Sequence, residues 1–146
     1  MLEHVEDDVG LLRAYAEHPG VGGDATIIVT VPMHEILFVE HDRLLKHHRR
    51  YARAELLDVI RRANLEIVDD GALFTSLLFP RSVERIGEAL RPSRRATSDI
   101  GAWSAGEGIT KWISRTLVTD FRISERLRRQ GVRLPGLSHF VIARRQ

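Results

Sequence analysis

An α/β fold is predicted by three features of the sequence. The first is a β-branched run, "DATIIVTV" (Asp24 to Val31), bounded by "GVGG" and Pro32, which is the pattern of a strand buried on both faces. The second is a set of apolar residues at helical spacing on either side of that run. The third is a closing β-rich stretch, "LSHFVIAR" (Leu137 to Arg144), set off by Gly131, Pro135 and Gly136. Helix and strand alternate, so at least three strands are expected to share one sheet.

The elements follow in order. Residues Glu6 to His18 read as a helix because Val9, Leu11, Leu12 and Tyr15 recur on one side, while Glu6, Asp7 and Asp8 sit at the positive end of its dipole. Pro19 and Gly20 stop it. The stretch from His34 to Arg50 is irregular, after which Arg53 to Ala63 places Leu56, Leu57, Ile60 and Ala63 on one helical face. "LEIVDDGALF" reads as a strand with a bulge or bend at Gly71. Val83, Ile86, Gly87 and Leu90 suggest a further helix, and "RPSRRATSDIGAWSAGEG" (Arg91 to Gly108) a mobile loop. Ile109 to Arg129 is a long amphipathic helix whose Trp112, Phe121 and Leu127 share an apolar stripe, with core packing the expected role of Trp112.

The 146 residues, 43% apolar, suit one domain. A formal charge of +2 hides an asymmetry, because residues 1–80 carry 8 basic and 14 acidic groups whereas residues 81–146 carry 14 and 6. The chain lacks cysteine, so disulfides are excluded and a reducing compartment is expected. "MLEHVEDD" lacks a signal-peptide profile and no apolar run approaches a membrane span, so a cytoplasmic protein without membrane partners is expected.

The densest chemistry lies in "HDRLLKHHRRYARAEL", with three His, four Arg, one Lys and one Tyr in sixteen residues. A zinc-protease helix needs a second His one turn after the first, and "HEILF" has Phe38 in that place. His41 and His47 are six apart, a spacing that favours neither one helical face nor one strand face. Polar loop histidines are the reading, and no metal is predicted. "KHHRRYAR" and "RPSRR" offer phosphate contacts, but no nucleic-acid-binding motif accompanies them, so nucleic acid is not an expected partner. "GVGGD" follows a helix and precedes a strand, the reverse of a nucleotide loop, and "GEG" (Gly106 to Gly108) has no strand ahead of it. Covalent hydrolase chemistry lacks both a cysteine and a serine elbow.

"LEH-V-D", the strand ending in "VP", "HDRLLKHHRRY" and "LPGLSHFVIAR" occur in an order that resembles the C-terminal half of class I S-adenosylmethionine-dependent methyltransferases, the Rossmann-like small-molecule type. The likeness covers Met1 to about Phe74 and Leu134 to Arg144. It implies a partial Rossmann-like sheet made of the last strands, mixed with an antiparallel edge and flanked by helices. One partial domain over 1–146 is implied, with a helical insertion and loop at about 76–131. By resemblance, Glu3 and His4 lie near the cofactor, S-adenosylmethionine. Pro32, Arg49, Arg50 and Tyr51 line the acceptor side, and His41 or His47 is the candidate base for transfer to a small-molecule acceptor. The alternative for Arg49, Arg50 and Tyr51 is that they anchor the next helix through Asp42, Glu55 or backbone carbonyls. The family's glycine-rich cofactor loop and ribose-binding acid would precede Met1, so an isolated chain is expected to be inactive. Its first strand, left with an open edge, is expected to pair in a homodimer. A non-enzymatic dimeric binding module is the other reading.

Overall fold

A computed structural model describes residues 1–38, 40–90 and 106–145; the side chains at 40, 41 and 88–90 also lie outside this description. Eight regular elements are described: α1 (Asp8–Glu17), β1 (Thr26–Pro32), α2 (Glu40–Leu44), α3 (Arg53–Arg62), β2 (Leu65–Leu73), α4 (Leu78–Leu90), α5 (Glu107–Arg129) and β3 (Ser138–Arg145), with single 3-10 turns at Leu2–His4, Glu35–Leu37 and Thr75–Leu77. The chain is therefore α/β, with a small three-stranded sheet and five helices among the described residues. None of these helices is long and apolar enough to cross a membrane.

The sheet order is β1-β3-β2, with both ladders antiparallel. β1 and β2 thus run in the same direction, joined through α3, and the last strand inserts between them in reverse. The antiparallel strand is central in the sheet, which corrects the expectation of an antiparallel edge. Central placement gives β3 a backbone partner on each side, and its inward residues Val141 and Ala143 are fully buried.

The core lies on one face of the sheet. Val29 and Val31 of β1, Leu65 of β2 and Val141 and Ala143 of β3 pack against Leu12 and Ala16 of α1 and Leu56, Leu57, Val59 and Ile60 of α3. The expected α3 face is all buried, as its spacing required. Asp7 caps α1 by accepting the Gly10 N–H at 2.8 Å. A Cβ at Gly10 would press on that carboxylate as it now sits, so a larger residue there would require the Asp7 side chain to shift.

Three further expectations change. β1 buries only alternate residues, and Ile28 on the other face is 66% exposed. A continuous β-branched run therefore does not imply two covered faces. The β2 irregularity falls between Ile67 and Asp69, not at Gly71. Gly71 is needed for a different reason: a Cβ there would come within 2.5 Å of the Phe140 ring on the neighbouring strand. In α5 the expected core stripe is largely uncovered, with Trp112 68% exposed and Ser124 the one residue of the helix that counts as buried. α5 meets the rest of the protein through its C-terminal half, where Arg128 pairs with Asp69 and Ser124 lies 3.3 Å from Thr75 Oγ1. Of the expected loop, residues 91–105, Trp103 included, lie outside the described residues, and Glu107 and Gly108 already belong to α5.

Candidate functional site

The carboxyl end of β1 gathers the residues that the sequence singled out. Pro32 O accepts the Tyr51 N–H at 3.0 Å, and the His34 N–H donates to Tyr51 O at 3.2 Å. Met33 and Tyr51 thereby form a parallel bridge that extends β1 by one rung. The His48 N–H donates to Glu3 O at 2.6 Å, so the 47–51 segment is laced to the Leu2–His4 turn on one side and to β1 on the other. Backbone bonding alone brings together residues more than forty positions apart.

Within this junction the side chains divide by task. Tyr51 is fully buried, and its hydroxyl donates to Asp8 Oδ2 at 2.9 Å. Burial first, and then the Asp8 carboxylate, push the phenol well above its ordinary pKa, so it stays a donor at every physiological pH. Arg49 donates to Asp8 at 3.3 Å and to Glu6 O at 3.0 Å. Arg50 donates to Asp42 Oδ1 at 2.8 Å and to Met33 O at 3.1 Å, while its backbone N–H donates to Glu35 Oε2 at 2.8 Å. These three side chains are internal anchors that fix the path of the segment. Asp42, almost fully buried, also accepts from Arg81 of α4 at 2.6 Å.

Glu3, His4 and His47 do converge. The two imidazole rings meet edge to face, with centroids 4.7 Å apart at 71°. His4 Nε2 lies 3.7 Å from Glu3 Oε1. Burial raises the Glu3 pKa, but hydrogen bonds from the terminal amine and backbone outweigh it and hold the carboxyl below its usual value. His41 falls on α2, and its side chain lies outside the described residues.

Beside this junction, across the carboxyl ends of β1 and β2, is a pocket of about 290 Å³. Met33, Ala72, Leu134, Pro135 and Phe140 give it apolar walls, and His34, Arg53, Arg133 and His139 supply polar edges. An apolar cleft with a few convergent polar groups is the usual form of a small-molecule site. His34 adopts a left-handed backbone conformation (φ 64°) and its Nε2 bonds Gly136 O at 3.0 Å. The carbonyl can only accept, so Nε2 carries the proton.

Asp70 organises the other wall. It accepts two bonds from Arg53 (2.7 and 2.8 Å), one from Arg133 (2.9 Å) and one from His139 Nε2 (2.9 Å). Burial opposes its charge, but these donors outweigh burial and hold the carboxyl far below its ordinary pKa. His139 is nearly fully buried, and desolvation, together with the Arg53 and Arg133 charges, lowers its pKa against the opposing pull of Asp70. The ring is therefore neutral at pH 7, with Nε2 donating to Asp70 and Nδ1 carrying a lone pair. A neutral imidazole oriented by a carboxylate in a small cleft has the arrangement of a general base.

The sequence reading passed over Asp70, His139 and Arg133. A signal was present, since His139 falls on the inward register of β3 with Val141 and Ala143, and a polar residue on a core-facing row requires a partner. The partner is 69 residues away, and the bulge at Ile67/Asp69 resets which β2 residues face inward. Among known protein families and curated proteins, none matches this chain.

Proposed function

We propose that this chain is the acceptor-side half of a class I S-adenosylmethionine-dependent methyltransferase domain that acts on a small molecule. The observation carrying the reading is the convergence at the carboxyl end of β1: the Leu-Glu-His turn, Pro32 and the His47–Tyr51 segment meet there through backbone hydrogen bonds, beside a pocket sized for a small acceptor. Ligands of open α/β sheets bind at that end of the strands. β1 and β2, parallel in direction and joined through α3, fit the Rossmann-like sheet that the resemblance implies. Methyl transfer needs alignment of acceptor and sulfonium, a dry site and in some cases a base. The pocket walls supply the dry site, and His139, which lines them, the base. A cytoplasmic location belongs to the same proposal and is supported by the absence of cysteine.

The described residues include no glycine loop between a strand and a following helix, so binding of the cofactor by this chain alone is expected to be weak. Calorimetric titration with S-adenosylmethionine and S-adenosylhomocysteine tests the reading. Saturable binding that falls at least about tenfold in Glu3→Ala supports it. A folded chain that binds neither ligand at about 1 mM overturns it.

A second reading, a dimeric binding module without methyl transfer, is favoured by β1. Among the described residues that strand pairs on one side only and presents the exposed Ile28. Light scattering at about 100 μM separates the cases, because a monomer there excludes a dimer of useful affinity.

A further inference from the structure

Both imidazoles at the Leu2–His4 turn are oriented by acceptors behind them. His4 Nδ1 lies 3.2 Å from the backbone oxygen of Lys46. A carbonyl has no proton to give, so Nδ1 is the donor, and the lone pair of the neutral ring is on Nε2. His47 Nδ1 lies 3.1 Å from Asp42 Oδ1. That carboxylate already accepts from the Arg50 and Arg81 guanidiniums, so it accepts from His47 as well, and the lone pair of His47 is again on Nε2. The Glu3 carboxylate completes the group: one ligand atom from each of Glu3, His4 and His47 lies within 4.8 Å of the other two.

Two histidines whose Nδ1–H groups are held by a carboxylate and a carbonyl, with a glutamate beside them, make up both the ligand shell and the shell behind it in many metal sites. We propose that Glu3, His4 and His47 form a binding site for a divalent transition-metal ion of the zinc class, with an open coordination position at the carboxyl end of β1. The assignment rests on this geometry; it shares Glu3 and His4 with the methyl-transfer reading but needs none of its chemistry.

The charges select the class of ion. Asp42 is already balanced by Arg50 and Arg81, so the only anionic ligand is Glu3, which the terminal amine also holds at 2.6 Å. Magnesium and calcium require several hard oxygen ligands, which this set lacks. Imidazole nitrogens with a single carboxylate suit zinc and its neighbours. Ligand atoms around a tetrahedral zinc, at about 2.0–2.1 Å from the ion, stand roughly 3.3 Å apart. The existing separations, within 4.8 Å, are wider than that, so an ion would have to draw the three side chains inward. His4 is 42% exposed at its side chain, which leaves room for a water or a chelating oxygen of a ligand in the remaining position. A metal there would polarise such an oxygen or lower the pKa of the bound water.

Sequence spacing could not have indicated this site, because His47 lies 43 positions from His4 and no helix or strand carries both. It is the His48–Glu3 and His4–Lys46 bonds that bring them into register.

Calorimetric titration of the metal-free 146-residue chain with zinc chloride is the test, with cobalt(II) followed by visible absorption as a report of coordination geometry. One equivalent is expected to bind with a Kd of about 10 μM or below, with the absorption bands of four- or five-coordinate cobalt. His4→Ala and His47→Gln are each expected to weaken binding at least about tenfold; the glutamine retains a donor for Asp42, and circular dichroism checks the fold. His18→Ala, which removes an exposed histidine outside the cluster, should leave the affinity unchanged. Zinc binding that survives the His4→Ala/His47→Gln double variant, no binding by the folded wild type, or magnesium binding as tight as zinc would each overturn the assignment. None of these outcomes alters the S-adenosylmethionine titration, so the two proposals fail separately.

Discussion

The face of the sheet covered by α1 and α3 differs sharply from the region of α4 and α5. On the first, apolar periodicity and burial coincide: Leu56, Ile60, Leu65, Val141 and Ala143 are all at or near zero exposure. In the second, Phe79, Val83 and Ile86 of α4 form a stripe at helical spacing that faces outward, with Phe79 78% exposed, and Trp112 of α5 does the same. α4 is held instead by polar bonds on its other side, from Arg81 to Asp42 and from Arg85 to Ile36 O. Periodicity thus establishes that a helix has two unlike faces. Which face meets the rest of the chain depends on partners that periodicity does not name.

The largest expected effect is in the core. Leu56→Ala removes a fully buried side chain and should lower unfolding free energy by about 3 kcal/mol, measured by urea denaturation. A loss below about 1 kcal/mol would mean that the α3 face is not the core. Next is Asp70→Ala, which leaves His139, Arg53 and Arg133 around an empty position. Breaking a buried charge cluster costs about 3–5 kcal/mol, but Arg53 and Arg133 are 42% and 52% exposed at their side chains. Solvent screening of both reduces the expected loss to about 2 kcal/mol.

A smaller, pH-dependent effect follows from the same wall. His139 has its pKa lowered below 6.5, chiefly by burial, so at a pH between its folded and unfolded values the unfolded chain takes up a proton that the folded chain does not. Its contribution is complete above about pH 6.5 and is lost as pH falls toward the folded value. Asp70, its pKa also lowered, adds a second loss once pH falls below its unfolded value of 3.8. His139→Gln should flatten the stability profile just below pH 6.5 and leave the acid limb intact. An unchanged slope there would show that other histidines set it. The smallest effect is reserved for α5, where Trp112→Ala should change stability by no more than about 0.5 kcal/mol, because the ring is mostly in solvent. A loss above about 2 kcal/mol would place Trp112 in a buried contact and erase the contrast between the two regions.

Much of the candidate site was legible as residues and little of it as geometry. Glu3, His4, His47 and Tyr51 stand out by type and order, yet Tyr51 faces Asp8 and not a ligand pocket, and the convergence of His4 with His47 appears only once two loops are hydrogen-bonded. The pocket wall of Asp70 and His139 was harder still. Each residue lies in a stretch that reads as an ordinary strand, and their pairing requires both the β2–β3 register and the bulge that shifts it.

By itself, the sequence determined the local elements: α1 from its acidic start and apolar spacing, α3 from Leu56, Leu57 and Ile60, and the three strands from their β-branched runs. These depend on interactions within a few residues, where backbone sterics, dipoles and side-chain period act directly. Only the tertiary structure decided that β3 lies between β1 and β2 and that, among the described residues, Ile28 of β1, the Phe79–Val83–Ile86 stripe of α4 and Trp112 of α5 face outward. The physical reason is that burial and strand order depend on which distant surfaces meet, and a residue's own neighbours in the chain carry no information about the far side of that contact.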